Sequence, residues 1–151
     1  MREVDGRRGQ VAVEDRQSAI SLGAELLDGL RASGTAALGL IRERGWNRDL
    51  DLAGAAVFLV DDRQIGSVHG EFFGDPGATD VITFPLGNYG EILVSVETAR
   101  RQANEFASSF ERELTLYIVH GLLHLHGYED GSTPGREEMT RRQEELLEAL
   151  G

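Results

Sequence analysis

Apolar residues recur along this chain with two different periods, and the switches between them mark out the elements. Gln10 to Glu14 alternates apolar and polar side chains, the period of a half-buried strand. Ala19, Ile20, Gly23, Leu26, Leu27 and Leu30 then fall at helical spacing, with Asp15 placed to cap the helix. Ser33-Gly34 is expected to interrupt that helix, and a second helical pattern runs from Ala36 to Arg44. The compact run Ala55 to Val60 reads as a buried strand, and Arg63 to Glu71 as a short helix. Gly74-Asp75-Pro76-Gly77 has the composition of a loop. Asp80 to Phe84 is a strand expected to stop at Pro85, and Leu86 to Gly90 a turn-rich connection. Glu91 to Ser95 is the next strand, paired with the previous one as a hairpin.

Helices fill the remainder. Glu97 to Ala107 is one. Ser108 and Glu111 stand at capping-box spacing and open another, whose apolar face holds Phe110, Leu114, Tyr117, Ile118, Gly121, Leu122 and Leu125. Gly127 suits a left-handed helix end, and Thr133-Pro134 an N-cap followed by proline at the first helical position. The last helix runs to Leu150 with Met139, Leu146, Leu147 and Leu150 inward. The order β-α-α-β-α-β-β-α-α-α predicts an α+β fold, a small mixed β-sheet surrounded by helices. Residues 10–151 are expected to form a single domain, with residues 1–9 as a loose tail.

Composition narrows the function classes. The 151 residues include no cysteine, which excludes disulfides, cysteine zinc sites and thiol nucleophiles. The formal net charge of -11 argues against a binder held to nucleic acid by charge alone, but not against an enzyme that cuts it through a metal. The excess is uneven: residues 1–60 hold nine acids and eight arginines, whereas residues 111–151 hold nine and four. No segment is long and apolar enough to predict a membrane span, and Met1 to Gln10 lacks the apolar core of a secretory leader. A cytoplasmic protein is therefore expected.

The chemistry concentrates in His120-Gly121-Leu122-Leu123-His124-Leu125-His126-Gly127-Tyr128-Glu129-Asp130. Two histidines four apart on a helix share one face and can share one metal. Gly127 lets the chain reverse, which brings Asp130 back as a candidate third ligand. Two imidazoles and a carboxylate leave a fourth position open for water, as a catalytic metal site requires. The spacing is that of zinc proteases, but Gly121 stands where those enzymes carry the glutamate base. His126 lies on a different helical face and is expected to pack at the helix end or to reach solvent.

From His120 to Tyr128 the chain resembles, residue for residue, the motif H-G-x-L-H-L-x-G-Y-D-H of the YbeY-type endoribonucleases, or rRNA maturation factors. Thr79-Asp80-Val81-Ile82-Thr83-Phe84-Pro85 is similar to that family's T-D-V-L-S-F-P strand, and Gly90 to Ser95 to its G-D-I-x-I-S strand. The resemblance spans residues 55–130. It implies a zinc in a cleft, one per chain, on His120, His124 and, where the family has histidine, Asp130. A carboxylate there should retain the metal while making the bound water less acidic. It further implies an RNA substrate, maturation of the 16S rRNA 3′ end, and ribosome quality control. Single-stranded RNA ends suit an open cleft better than a duplex.

The family's Y-R-G arginine is replaced by Phe73. Arg63, Arg100, Arg101 and Arg112 are candidates to compensate, while Thr79 and Asp80 read first as a turn cap and strand start. Two alternatives to the endoribonuclease stand beside it. One is a non-catalytic ribosome assembly factor with a structural metal, whose acidic surface would meet a ribosomal protein or the small ribosomal subunit. The other is a metal hydrolase of a small phosphoester or an amide.

Overall fold

The computed structural model describes residues 9–47, 50, 52–74 and 79–151. Four strands and five helices follow the chain as β1 (Gln10–Asp15), α1 (Ala24–Glu43), β2 (Gly54–Val60), α2 (Asp62–Phe73), β3 (Val81–Leu86), β4 (Tyr89–Ser95), α3 (Val96–Glu105), α4 (Phe110–Leu125) and α5 (Thr133–Leu150). The sheet order is β1-β2-β4-β3, with β1-β2 and β2-β4 parallel and β3-β4 antiparallel. This is the α+β fold with a small mixed sheet that the patterning predicts. The expected tail lies outside the described residues up to position 8. Gly9 is already bonded to the chain, its N–H donating to the Ala53 carbonyl.

The alternation of the strands sends two sets of side chains to opposite faces. Val11, Val13, Ala55, Val57, Leu59, Ile92 and Val94 join the main core with α1, α4 and α5. Val60, Ile65 and Ile82 form a smaller cluster under α2, flanked by Phe58, Val68, Phe84 and Leu93. Asp61 caps α2 through a capping box with Gln64. Asp62 then ties the start of α2 to the end of β4, accepting from Ser95 Oγ at 2.6 Å, Thr98 Oγ1 at 2.8 Å and Arg101 Nη1 at 2.7 Å. Burial alone would raise the Asp62 pKa. The three hydrogen bonds and the guanidinium charge outweigh it and hold the carboxyl below its ordinary value.

Four boundaries differ from the sequence expectation, each for a tertiary reason. The first helix does not follow Asp15. Instead Gln17 bonds Asp15 and both backbone groups of Ile20, which folds residues 15–20 into a side-chain-bridged turn. Ser33-Gly34 does not break α1. Gly34 is buried where a Cβ would stand 2.9 Å from Val11 Cγ1, so glycine there admits the strand rather than ending the helix. Pro85 does not end β3. The Ser95 N–H donates to the Asp80 carbonyl at 3.0 Å, so the pairs that exchange hydrogen bonds are Asp80/Ser95 and every second pair after it. Pro85 falls between them on the outermost strand, where its missing N–H would have pointed away from β4. Finally, the caps of α4 and α5 are Ser109 and Ser132, one residue before or after those expected, accepting from the N–H groups of Arg112 and Gly135.

Helix α4 crosses the sheet at close range through two reciprocal glycines. A Cβ on Gly121 would lie 2.7 Å from Ile92 Cγ2, and one on Gly90 would lie 2.5 Å from Leu125 Cδ1. Each glycine receives the bulky side chain of the opposing element. Gly121→Ala is expected to destabilise the protein by about 1–2 kcal/mol, the overpacking cost less the helix-propensity gain of alanine. In urea unfolding, Gly121→Ala combined with Ile92→Ala should cost less than the sum of the two single variants.

Candidate metal centre

Helix α4 presents His120 and His124 one turn apart on one face, their ring centroids 4.7 Å apart and their planes at 78°. The helix stops at His126, and Gly127 takes a φ of 96°, the left-handed conformation that reverses the chain. The returning segment is pinned where the Tyr128 N–H donates to the Leu123 carbonyl at 3.0 Å, with the Tyr128 side chain buried. That return delivers Asp130, whose Oδ2 lies 3.7 Å from Nε2 of His120 and 3.7 Å from Nε2 of His124. One ligand atom from each residue lies within 4.8 Å of the others. Tetrahedral zinc with bonds of about 2.0–2.1 Å sets its donors about 3.4 Å apart, close to the 3.7 Å that separates Asp130 Oδ2 from either imidazole. Two imidazole nitrogens and a carboxylate oxygen are also the donor chemistry that zinc takes.

The other ring nitrogen of His120 is held. His120 Nδ1 lies 2.8 Å from Gln143 Oε1 on α5, so its N–H donates there and the Nε2 lone pair faces Asp130. His124 hydrogen-bonds the backbone of Tyr128. Burial and the neighbouring His120 charge push the His124 pKa below its ordinary value, and Asp130 only partly offsets them. His126 stands apart from the three donors. It is buried at the helix end, with Nδ1 donating to the Leu122 carbonyl at 2.7 Å. The helix face that carries the ligands continues toward its N-terminus as Tyr117 and Glu113, both buried. Burial, together with the charges of Glu113 and Asp80, pushes the Tyr117 hydroxyl far above its ordinary range.

Beside the ligands lies a cavity of about 150 Å³ lined by His120, Asp130, Arg136, Met139, Thr140 and Gln143. None of the four arginines singled out from the sequence lines it. Arg101 is paired with Asp62, Arg100 lies over the Phe110 ring, Arg112 lines a separate cavity with Ser109 and Leu147, and Arg63 is exposed on α2. Arg136 and Gln143 were not singled out because they arrive from α5 across the fold. Their one local signal is spacing: positions 136, 139, 140 and 143 share a helical face with buried Met139. Phe73 ends α2 exposed, in ring contact with His69. Asp80 opens β3, as its sequence reading expects, through the backbone bond to Ser95.

The family model of endoribonuclease YbeY matches residues 40–151 of this chain. The chain belongs to the endoribonuclease YbeY family. A relative named endoribonuclease YbeY from Desulforamulus reducens is 34% identical over 124 residues, covering 74% of this chain and 79% of the relative. One of the same name from Bacillus subtilis is 37% identical and covers 67% and 74%. Another from Moorella thermoacetica is 32% identical and covers 94% and 97%. A solution structure of a Thermotoga maritima protein superposes with a TM-score of 0.61 at 29% identity, covering 93% of this chain and 88% of that one. The YbeY assignment agrees with the fold and with the motif that carries His120 and His124.

The depressed His124 pKa has a consequence for the metal-free protein. Between the lowered folded value and the unfolded value of 6.5, the unfolded chain binds more protons than the folded one. The stability linked to His124 is therefore present above pH 6.5 and lost as the pH falls through its depressed folded pKa. Urea unfolding of chelator-treated protein from pH 8 to pH 5 should show this fall, and His124→Asn should flatten it.

Proposed function

We propose that this chain is a zinc-dependent endoribonuclease acting on single-stranded regions of ribosomal RNA, in maturation of the 16S rRNA 3′ end and in ribosome quality control. The observation that carries the reading is the convergence of His120 Nε2, His124 Nε2 and Asp130 Oδ2 beside a cavity that His120 and Asp130 line, in a chain whose relatives are named endoribonucleases. These three residues would hold one zinc per chain. When bound, the ion supplies Lewis-acid polarisation of a phosphoryl oxygen and lowers the pKa of coordinated water. Gln143 holds the His120 tautomer, with Nε2 free to ligate. Gly121, on α4 next to His120, has no side chain, so this reading gives it no part in proton transfer; it lets the helix approach Ile92. The small ribosomal subunit is the partner that this substrate implies. Among the described residues no helix is long and apolar enough to cross a membrane.

A second reading, the non-catalytic assembly factor with a structural metal, is favoured by Phe73, an exposed apolar side chain where the family motif carries arginine.

Two measurements separate these readings. Elemental mass spectrometry of protein purified without added metal or a histidine tag should find about one zinc per chain. That zinc should be lost in His124→Ala and in Asp130→Ala. Zinc-loaded wild type should cut a single-stranded RNA of the 16S 3′ end and stop on chelation. Zinc bound without any cleavage would favour the assembly factor, and no zinc at all would sink both.

Gln143 provides a further check on ligand orientation. Gln143→Leu should weaken zinc binding about 10- to 100-fold in chelator competition, and Gln143→Glu should largely retain it.

A further inference from the structure

A phosphodiester is an anion, and this centre is poorly placed to attract one. The chain carries a formal charge of -11, and Asp130 adds a carboxylate to the ligand set itself. A bound zinc would supply one positive centre facing the phosphate, partly cancelled by Asp130, and a second cation there would strengthen binding. The cavity that exposes His120 and Asp130 has a single arginine in its wall, Arg136.

Three observations mark Arg136 out from an ordinary surface arginine. Its guanidinium is anchored: Nη1 donates to the Asp130 carbonyl at 3.3 Å and Nη2 to Thr133 Oγ1 at 3.1 Å. These bonds use two of its five donors and none of its charge. Its charge is also uncompensated: like Arg63, Arg100, Arg112 and Arg141 it meets no carboxylate within 4.0 Å among the described residues, and of these five it alone lines the cavity beside the ligands. Lastly, it sits against the helix dipole. The first turn of α5 holds no acidic residue and carries this cation instead, at the end where a positive charge is disfavoured. Its position on α5 is set by the residues that follow on the same face, buried Met139 and Gln143, which is bonded to His120.

We propose that Arg136 is the phosphate-binding residue of this site, its free guanidinium donors receiving the non-bridging oxygens of the RNA phosphate presented to His120, His124 and Asp130. The assignment rests on the endoribonuclease reading above. It also places the cation of the site on α5 rather than on the segment that ends at Phe73.

The test compares zinc-loaded wild type, Arg136→Gln and Arg136→Lys. The probe is a fluorescent single-stranded RNA with 2′-O-methyl riboses, its integrity confirmed on a gel. Binding is followed by anisotropy across a salt series, with zinc affinity measured by chelator competition and Tm by calorimetry. Arg136→Gln should bind the probe about tenfold more weakly, with the slope of log affinity against log salt reduced by about 0.7, the loss of one phosphate contact on a single strand. Zinc affinity and Tm should stay at wild-type values, and Arg136→Lys should recover most of the slope. An unchanged slope in Arg136→Gln overturns the proposal. So does a loss of zinc affinity that accounts for the weaker binding, which would make Arg136 a support for Asp130 alone. Wild type that binds the probe but fails to cut unmodified RNA overturns the endoribonuclease reading, and the slope still decides Arg136. Wild type with no affinity for the probe overturns both.

Discussion

The close crossing of α4 over β4 is the constraint on which the rest of the molecule depends. Gly121 gives way to Ile92 and Gly90 gives way to Leu125, so helix and strand interlock in both directions. Interiors packed at crystal-like density tolerate little slack, and a helix held this way has little freedom to slide or roll. His120 and His124 flank Gly121 and precede Leu125, so the contact that seats the helix also aims the imidazoles. Ligand geometry must be held to fractions of an ångström, and for the two histidines it is set by two elements of the core rather than by a loop.

The remaining donor depends on local chain reversal. Only five residues separate His124 from Asp130, and they contain the left-handed Gly127 and the buried Tyr128. Asp130 is half exposed while the histidines are about three-quarters covered. The carboxylate thus lies on the open side of the cluster, and the imidazoles are backed by protein. Burial favours the neutral, ligating form of His124, while the carboxylate side of the cluster stays open to water. The two helices contribute differently: α4 supplies donors, and α5 supplies the groups that hold or surround them, Gln143 and Arg136.

What was legible in the sequence follows the range of the interaction. All four strands were visible, because alternation and short apolar runs record which face is buried. The candidate ligands were visible because all three lie within eleven consecutive residues. Gly34 was misread as a break because its reason lies across space, in Val11 of the first strand. Pro85 was misread as a stop because only the sheet order shows that its N–H was dispensable. Gln143 and Arg136 left only a weak local mark, their helical spacing with Met139. A polar residue on an inward helical stripe has meaning only once its partner is known, and the partners are His120 and Asp130 on other segments. Phe73 shows the opposite case, a departure from a motif that is plain in the sequence, while the arginine that lines the cavity is evident only in space.

The position of Pro85 also bears on how the molecule behaves among its own copies. The outer rim of β3 is the exposed border of the sheet beside the hairpin, and an exposed strand border is a template for recruiting another chain. Residues 81, 83 and 85 turn their backbone groups outward there, and the last of them has no proton to donate. An incoming strand would therefore lose a rung close to the Gly87-Asn88 turn, after only two usable positions. The same residue that leaves pairing with β4 intact makes this edge of the sheet a poor seed for self-association, a safeguard suited to a protein with exposed Leu86 and Tyr89 at that end.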